Sequence, residues 1–250
     1  MTCLPACRGR AGLLPMPVRE TGHSIISRRP ARRALPGFRM LPVRPHRAPQ
    51  ALEDLSACLM ANVAQECSLS GLAEATRLRS VHTVEKYSQH LEEAFLFFRL
   101  KRFSFKARQQ TRANRKVYCI DNGLVTSTSF RFSAQVGQLH ENAVAIALRK
   151  QEMEGKLEVY FWKSPEQEEV DFVVKEGLRV ARLIQVCVDI RDPKTKAREV
   201  RALLKAQEAL RCDELLVLTD DAEGEEEATW FGLRGRVRYV PLWKWLLGQG

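Results

Sequence analysis

From residue 51 onward, apolar residues recur at two spacings, and each spacing predicts a different kind of element. Leu52, Leu55, Leu59 and Val63 stand three or four apart, which predicts a helix over 51–66, and "LSGLAEATRLR" predicts a shorter one behind it. In "SVHTVEKYSQHLEEAFLFFRL", Thr83 suits an N-cap, and Val84, Tyr87, Leu91 and Ala94 form a stripe that would face the first two helices. The period then shortens: "FLFFRL" and "KVYCID" predict two strands joined by the basic stretch "KRFSFKARQQTRANRK". Three short helices followed by two strands is the order of a winged helix-turn-helix, with the third helix as recognition element and the basic stretch as wing.

From Gly137 the pattern changes. "GQLHENAVAIALRK" is apolar almost all round, as a helix buried against a sheet would be. Three strands follow, "LEVYFWK", "EVDFVVK" and "RLIQVCVDI", and then an amphipathic helix, "KTKAREVRALLKAQEAL", with Ala197, Val200, Leu203, Leu204 and Gln207 on one face. "ELLVLT" is continuously apolar, which predicts an interior strand. "DDAEGEEEATWFGLRGR" reads as an acidic, glycine-bearing loop before a last strand, "RVRYVPL", and a short helix, "WKWLLG". The order from Gly137 is therefore α-β-β-β-α-β, a mixed α/β domain set behind a helical one.

Charge changes this picture only at the front. The net charge is +10, yet residues 1–50 hold ten arginines, no lysine and one acid, Glu20, so they carry +9. The other 200 residues hold 30 basic and 29 acidic side chains and are nearly neutral. The same 50 residues carry eight of the eleven prolines and no sustained period, so they are expected to be a disordered leader outside the fold. A phosphate-touching tail and an organelle transit peptide are two readings of it. The abrupt change of composition favours a third, sequence that does not belong to the native coding frame. The seven cysteines and five histidines are scattered without paired spacing, which indicates neither a zinc site nor a disulfide framework and fits a reduced, cytoplasmic setting. With no spanning segment, no membrane partner is expected.

The candidate chemistry lies in two places. The stretch between the first two strands holds Lys101, Arg102, Lys106, Arg108, Arg112, Arg115 and Lys116 with no acid among them, and suits phosphate contact by DNA; a solvated loop is the alternative. Glu85, Glu92 and Glu93 on the supposed recognition helix argue against it. The second place is the hairpin "EVDFVVKEGLRVARLIQVC". Gln185 and Cys187, two apart, share a strand face, Asp171 on the neighbouring strand can reach it, and Glu141 points inward in line with Val144, Ala145 and Leu148. Glu141, Asp171 and Gln185 together would make an oxygen-rich pocket suited to Mg²⁺ or Mn²⁺. The structural alternatives are an Asp171 that bonds a strand-edge amide, a Glu141 favoured by the helix dipole, and a Cys187 that is simply small and buried.

The α-β-β-β-α-β order, with an acid, an Asp and a (Glu/Gln)-x-Lys position, resembles the PD-(D/E)XK, or restriction-endonuclease-like, superfamily. More narrowly, "TVEKYSQHLEEAFLFF", "KVYCIDNGL", "GQLHENAV", "VYFWK", "EVDFVV" and "LIQVC" resemble the C-terminal half of a family of archaeal and bacterial AAA-type ATPases. In that family a P-loop module precedes a winged helix and a nuclease-like domain, so the resemblance implies a winged helix over 51–120 and a nuclease-like domain over 121–250. Two departures follow. There is no GxxxxGK[ST], hence no ATP site in this chain. Cys187 stands where the resemblance places a lysine, and Gln185 where it allows Glu; Lys163 or Lys196 are the candidates for a replacement charge. The expectation is an accessory module that binds DNA or a protein partner on behalf of an ATPase, its nuclease-like site disarmed. The rivals are a Mg²⁺- or Mn²⁺-dependent deoxyribonuclease with a displaced lysine, and a decayed fragment with no role of its own.

Overall fold

The computed structural model describes residues 49–78, 80–128 and 136–248; the expected leader lies outside these, except for its last two residues. Those two open the first helix, α1 (Pro49–Ala61), where a proline is tolerated because the first N–H groups of a helix have no partner within it. Leu55 and Leu59 of α1 are buried, as their spacing implies. A two-residue strand, β1 (Glu66–Cys67), leads to α2 (Leu69–Ala75), capped by the Ser68 hydroxyl, which accepts from the Gly71 amide at 3.0 Å. Helix α3 (Val81–Glu93) begins before Thr83, with Ser80 at its N-cap. It buries Val84, Ser88 and Leu91, while Ala94 ends it in solvent. Then come β2 (Phe97–Arg102), α4 (Ala107–Arg112), β3 (Arg115–Cys119) and α5 (Asn122–Thr128).

The helix expected from Gly137 is α6 (Val136–Met153), with Val144, Ala145 and Leu148 buried. Three strands follow it, β4 (Glu158–Lys163), β5 (Glu169–Glu176) and β6 (Arg179–Val186), and then α7 (Pro193–Leu210) and β7 (Leu215–Thr219). Helix α7 starts where Asp192 accepts from the Lys194 and Thr195 amides with Pro193 in its first turn, and ends on Arg211 in the left-handed region, φ 55°. Its buried face is Glu199, Ala202, Leu203, Ala206 and Leu210, with Leu204 beside them. Ala197 is exposed and Gln207 half-buried, so the face is rotated from the one the apolar residues alone suggest.

The acidic segment after β7 is a strand rather than a loop. β8 (Gly224–Trp230) pairs with β9 (Leu233–Pro241) across a two-residue turn, and α8 (Leu242–Leu246) closes the described chain. Phe231 and Gly232 take φ of 42° and 88° in that turn, the positive-φ pair that a tight hairpin requires. Opposite charges face each other across the pair, Glu225 opposite Arg238 and Glu227 opposite Arg236, and Arg236 lies 3.9 Å from Glu225 on the diagonal.

All nine strands belong to one mixed sheet, ordered β1-β3-β2-β4-β5-β6-β7-β9-β8, which with eight helices makes up the described residues. The two strands expected to flank a wing are part of that sheet: β3 pairs antiparallel with β2, and β2 runs parallel to β4 through Lys101–Tyr160 and Arg102–Phe161. One continuous cluster joins Leu55, Val84 and Tyr118 to Val144, Phe172 and Leu242, so residues before and after position 120 share one sheet and one core. A second core lies under α7. β7 sits between two parallel neighbours, β6 and β9, and all five of its residues are buried, as its unbroken apolar run implies.

At Gly235 of β9, helix α7 packs directly on the strand backbone. A Cβ there would lie 2.8 Å from Leu204 Cδ2 and 2.9 Å from Leu215 Cδ1, with the Gln207 side chain closer still. Gly235→Ala is expected to destabilise the protein by about 1–3 kcal/mol, because helix and sheet must separate to admit the methyl group. Urea unfolding measures this, and unchanged stability would mean that α7 packs with slack.

Candidate functional site

The site is built around a lysine on β3. Strand alternation points Lys116 and Tyr118 to one face, between the apolar Val117 and Cys119. The Lys116 side chain, 2 % exposed, crosses the sheet and ends among carboxylates: Glu141 Oε1 at 2.9 Å, Glu169 Oε1 at 2.5 Å and Asp171 Oδ1 at 3.0 Å. The ammonium lies 5.9 Å from the centre of the Phe161 ring. Tyr118 donates its hydroxyl proton to Glu141 Oε1 at 2.7 Å. The next residue of α6, Asn142, is fully buried and grips the end of the same strand; its Oδ1 accepts from Cys119 N and its Nδ2 donates to Cys119 O, both at 2.9 Å. Two adjacent residues of α6 therefore fix β3, one through charge and one through its backbone.

Burial and charge set the protonation of this centre. Burial works against the Lys116 ammonium, but Glu141, with Tyr118, Asp171 and Glu169, outweighs it and holds the pKa well above that of a free lysine. Burial, with Asp171 beside it, pushes the Glu141 carboxyl up to about 7, while Lys116 and Tyr118 pull the other way. Burial and Glu141 likewise raise the Tyr118 phenol well above its usual value. Glu169 extends the network outward: Lys163 lies 3.6 Å from it and 3.2 Å from Glu66.

The hairpin brings together the residues its pattern suggested. The β5–β6 register, Phe172 with Ile184, sets Asp171 opposite Gln185. Asp171 Oδ2 accepts from the Val186 amide at 3.0 Å, and the Asp171 amide donates to Gln185 Oε1 at 3.3 Å. Gln185 Nε2 donates to Glu199 Oε2 of α7 at 2.7 Å, and burial raises the Glu199 pKa. Cys187, just past β6, donates weakly to Asp189 O at 3.5 Å; burial, then Glu199, pushes its thiol up to about 11. At neutral pH it is a protonated, buried, apolar group.

Glu141 and Asp171 thus meet on Lys116, whereas Gln185 faces Glu199. A divalent ion does not fit these side chains as they lie. Both Asp171 oxygens have partners, the Gln185 carbonyl is held by a backbone amide, and an ammonium sits where Glu141, Glu169 and Asp171 converge. Among the described residues, no group of three or more His, Cys, Asp or Glu side chains is arranged to hold a metal ion.

The basic stretch divides. Lys116 is buried in the ionic centre and presents no charge to the surface. Arg102 is half-buried and donates to the Lys163 carbonyl at 2.5 Å. Arg115 is half-buried between β1 and β2, while Lys101, Lys106 and Arg108 are exposed; the Arg112 side chain lies outside the described residues. Of the lysines considered as replacements for Cys187, Lys196 pairs with Glu226 at 2.7 Å and Lys163 touches only Glu169 of the centre. Lys116, which sequence reasoning assigned to the wing, is the lysine that reaches Asp171. Its signal was present: a lysine inside an apolar strand, sharing a face with tyrosine, needs a buried counter-charge.

Comparison with known proteins places a boundary between the residues that make this centre. Residues 40–135 match the model of a domain of unknown function, DUF8612. Residues 136–244 match another, DUF4143, a domain commonly found at the C-terminus of AAA-ATPase-like proteins. Lys116 and Tyr118 fall in the first match, and Glu141, Glu169 and Asp171 in the second. The chain is 31% identical over 166 residues to "Uncharacterized protein MJ1544" of Methanocaldococcus jannaschii, covering 66% of this chain and 36% of that protein. It is 29% identical over 114 residues to an "Uncharacterized protein" of Haemophilus influenzae, covering 44% of this chain and 26% of the relative. The matches therefore span about a third or less of the length of these curated relatives. No solved structure matches significantly.

Two outcomes follow from the ionic centre. Lys116→Met should cost about 3–5 kcal/mol in urea unfolding at pH 8, because it strands buried carboxylates without their cation, and the cost should shrink at lower pH as Glu141 takes up its proton. Glu141 binds a proton more tightly in the fold than its ordinary pKa of 4.5 would allow. Its contribution is therefore complete below about pH 4.5 and lost by about pH 7, so stability falls as pH rises through this window. Glu141→Gln should flatten that slope in thermal denaturation, and an unaltered slope would contradict the assignment.

Proposed function

We propose that this chain is a non-catalytic accessory module of winged-helix and restriction-endonuclease-like descent, working in the cytoplasm to bind nucleic acid or a protein partner on behalf of an AAA-type ATPase. The observation that carries the reading is the seat of Lys116, whose ammonium neutralises the carboxylates that would otherwise gather around a divalent ion. Cys187 as a protonated thiol supports it, since it offers neither the charge nor the proton-handling capacity of a lysine beside a scissile phosphate. Support for the ATPase association is the match over residues 136–244 together with the motifs that resemble the C-terminal half of such proteins.

One observation favours the rival reading, a metal-dependent deoxyribonuclease with a displaced lysine: Lys116 Nζ is 3.0 Å from Asp171 Oδ1. For that role the ammonium would have to leave the carboxylates and turn to substrate. Manganese titration by calorimetry, run beside a cleavage assay on single- and double-stranded DNA, separates the two. The accessory module is expected to show no stoichiometric Mn²⁺ binding and no cutting. Mn²⁺-dependent cutting by the wild type that disappears in Asp171→Asn and Lys116→Met, while circular dichroism shows both variants folded, would establish the nuclease instead.

A further inference from the structure

We propose that an aromatic ridge on the β2–α4 connection, with the basic clefts on either side of it, is a binding site for an unpaired nucleic-acid strand. The inference rests on the nucleic-acid arm of the proposed function and gives it a place and a ligand class. The ridge is Phe103 and Phe105, packed edge to face with ring centres 5.2 Å apart; Phe103 is braced in the same way on Tyr160 of β4 at 5.5 Å. Phe105 is 78 % exposed, a large apolar ring held out in water by a supported neighbour.

A cleft of about 850 Å³ lies on one side of the ridge, reaching Arg108, Trp162 and Lys163. A second, of about 440 Å³, lies on the other side, reaching Lys175, Arg179 and Arg211. Phe103, Ser104, Phe105 and Leu210 line both, so the two clefts meet along the ridge. No acidic residue lines either one. Lys163 and Lys175 are held by Glu66, Glu169 and Glu158. Arg108, Arg179 and Arg211 are exposed, and among the described residues none forms an ion pair with a carboxylate; Glu176, opposite Arg179 across the hairpin, lies 3.8 Å from Arg182 instead. Arg211 stands at the end of α7 and Arg179 at the start of β6, so the cations come from separate elements that the fold brings around one ridge.

A ligand that satisfies this surface carries negative charge on both sides of a flat apolar face. A nucleic-acid strand does, with phosphates for the arginines and bases for the phenyl rings. In a duplex the base faces are already stacked on one another and would leave Phe105 in water. The strand that gains from the ridge is therefore an unpaired one, with DNA and RNA sharing the chemistry.

Fluorescence anisotropy on the full chain tests the site with labelled oligothymidylate and oligouridylate of about 15 nucleotides, long enough to cross such a site, and with a mixed-sequence duplex. Single strands are expected to bind more tightly than the duplex. Phe105→Ala should weaken them about tenfold or more. The triple variant Arg108→Ala, Arg179→Ala, Arg211→Ala should lower the salt slope by about two, from three lost phosphate contacts at roughly 0.7 each. All four positions are exposed, and circular dichroism checks that the variants fold. A duplex preference would overturn the single-strand inference while leaving nucleic-acid binding in place. Single-strand binding untouched by either variant would put it elsewhere, the arginine-rich first 50 residues foremost, and overturn the site. Absence of binding to any nucleic acid would end both this inference and the nucleic-acid arm of the function. Displacement of the strand by polyglutamate at equal charge concentration would point to an acidic protein partner instead.

Discussion

Everything about the centre of this molecule depends on the burial of one ammonium group. Taking a lysine head group out of water costs several kcal/mol, and only close carboxylates with good geometry offset it. Lys116 finds three, and they come from α6 and from β5, far from β3 in sequence. The strand and the acidic elements consequently have to be assembled together. The same requirement explains why residues that match two separate domain models share one sheet and one core. The first match supplies the cation and the second supplies the anions, and neither half of the ionic centre is balanced alone.

That balance also sets what the centre can do. With Glu141 titrating near neutrality and Asp171 divided between Lys116 and a backbone amide, the carboxylates tie β3 to α6 and β5. Gln185 and Glu199 form a second, outer polar link between β6 and α7, and Cys187 packs behind it as an apolar group. The mixed sheet and its helices thus enclose a centre whose polar groups satisfy one another. An exposed phenyl ring and, among the described residues, arginines without an ion-pair partner lie elsewhere, along the ridge of Phe103 and Phe105.

Much of this fold was legible because burial writes itself into apolar spacing. The run from α6 through β7 appears in the order α-β-β-β-α-β, and β7 is interior, as an unbroken apolar strand must be. The opposition of Asp171 and Gln185 followed from period-two alternation and the short Gly177-Leu178 turn. What escaped was polar. β8 alternates between exposed and half-exposed positions at the sheet edge, so it carries no apolar signature; its evidence lay in the complementarity of "GEEEATW" with "LRGRVRYVP". Helix α7 buries Glu199, which rotates the real face away from the one read from aliphatic residues. Lys116 was counted with its basic neighbours because its charge was weighed and its position in an apolar strand was not. The bland reading of Asp171, a carboxylate on a strand-edge amide, describes one of its two oxygens and misses the other.

Lys116 and the carboxylates are energetically one unit, and a double-mutant cycle can measure that coupling. Urea unfolding at pH 7.5 would be compared for the wild type, Lys116→Met, Asp171→Asn and the double variant. A coupling energy of about 2 kcal/mol or more is expected, with the double variant well above the stability that the two single losses would sum to. Losses that add within about 0.5 kcal/mol would show instead that the ammonium and the carboxylate do not depend on each other.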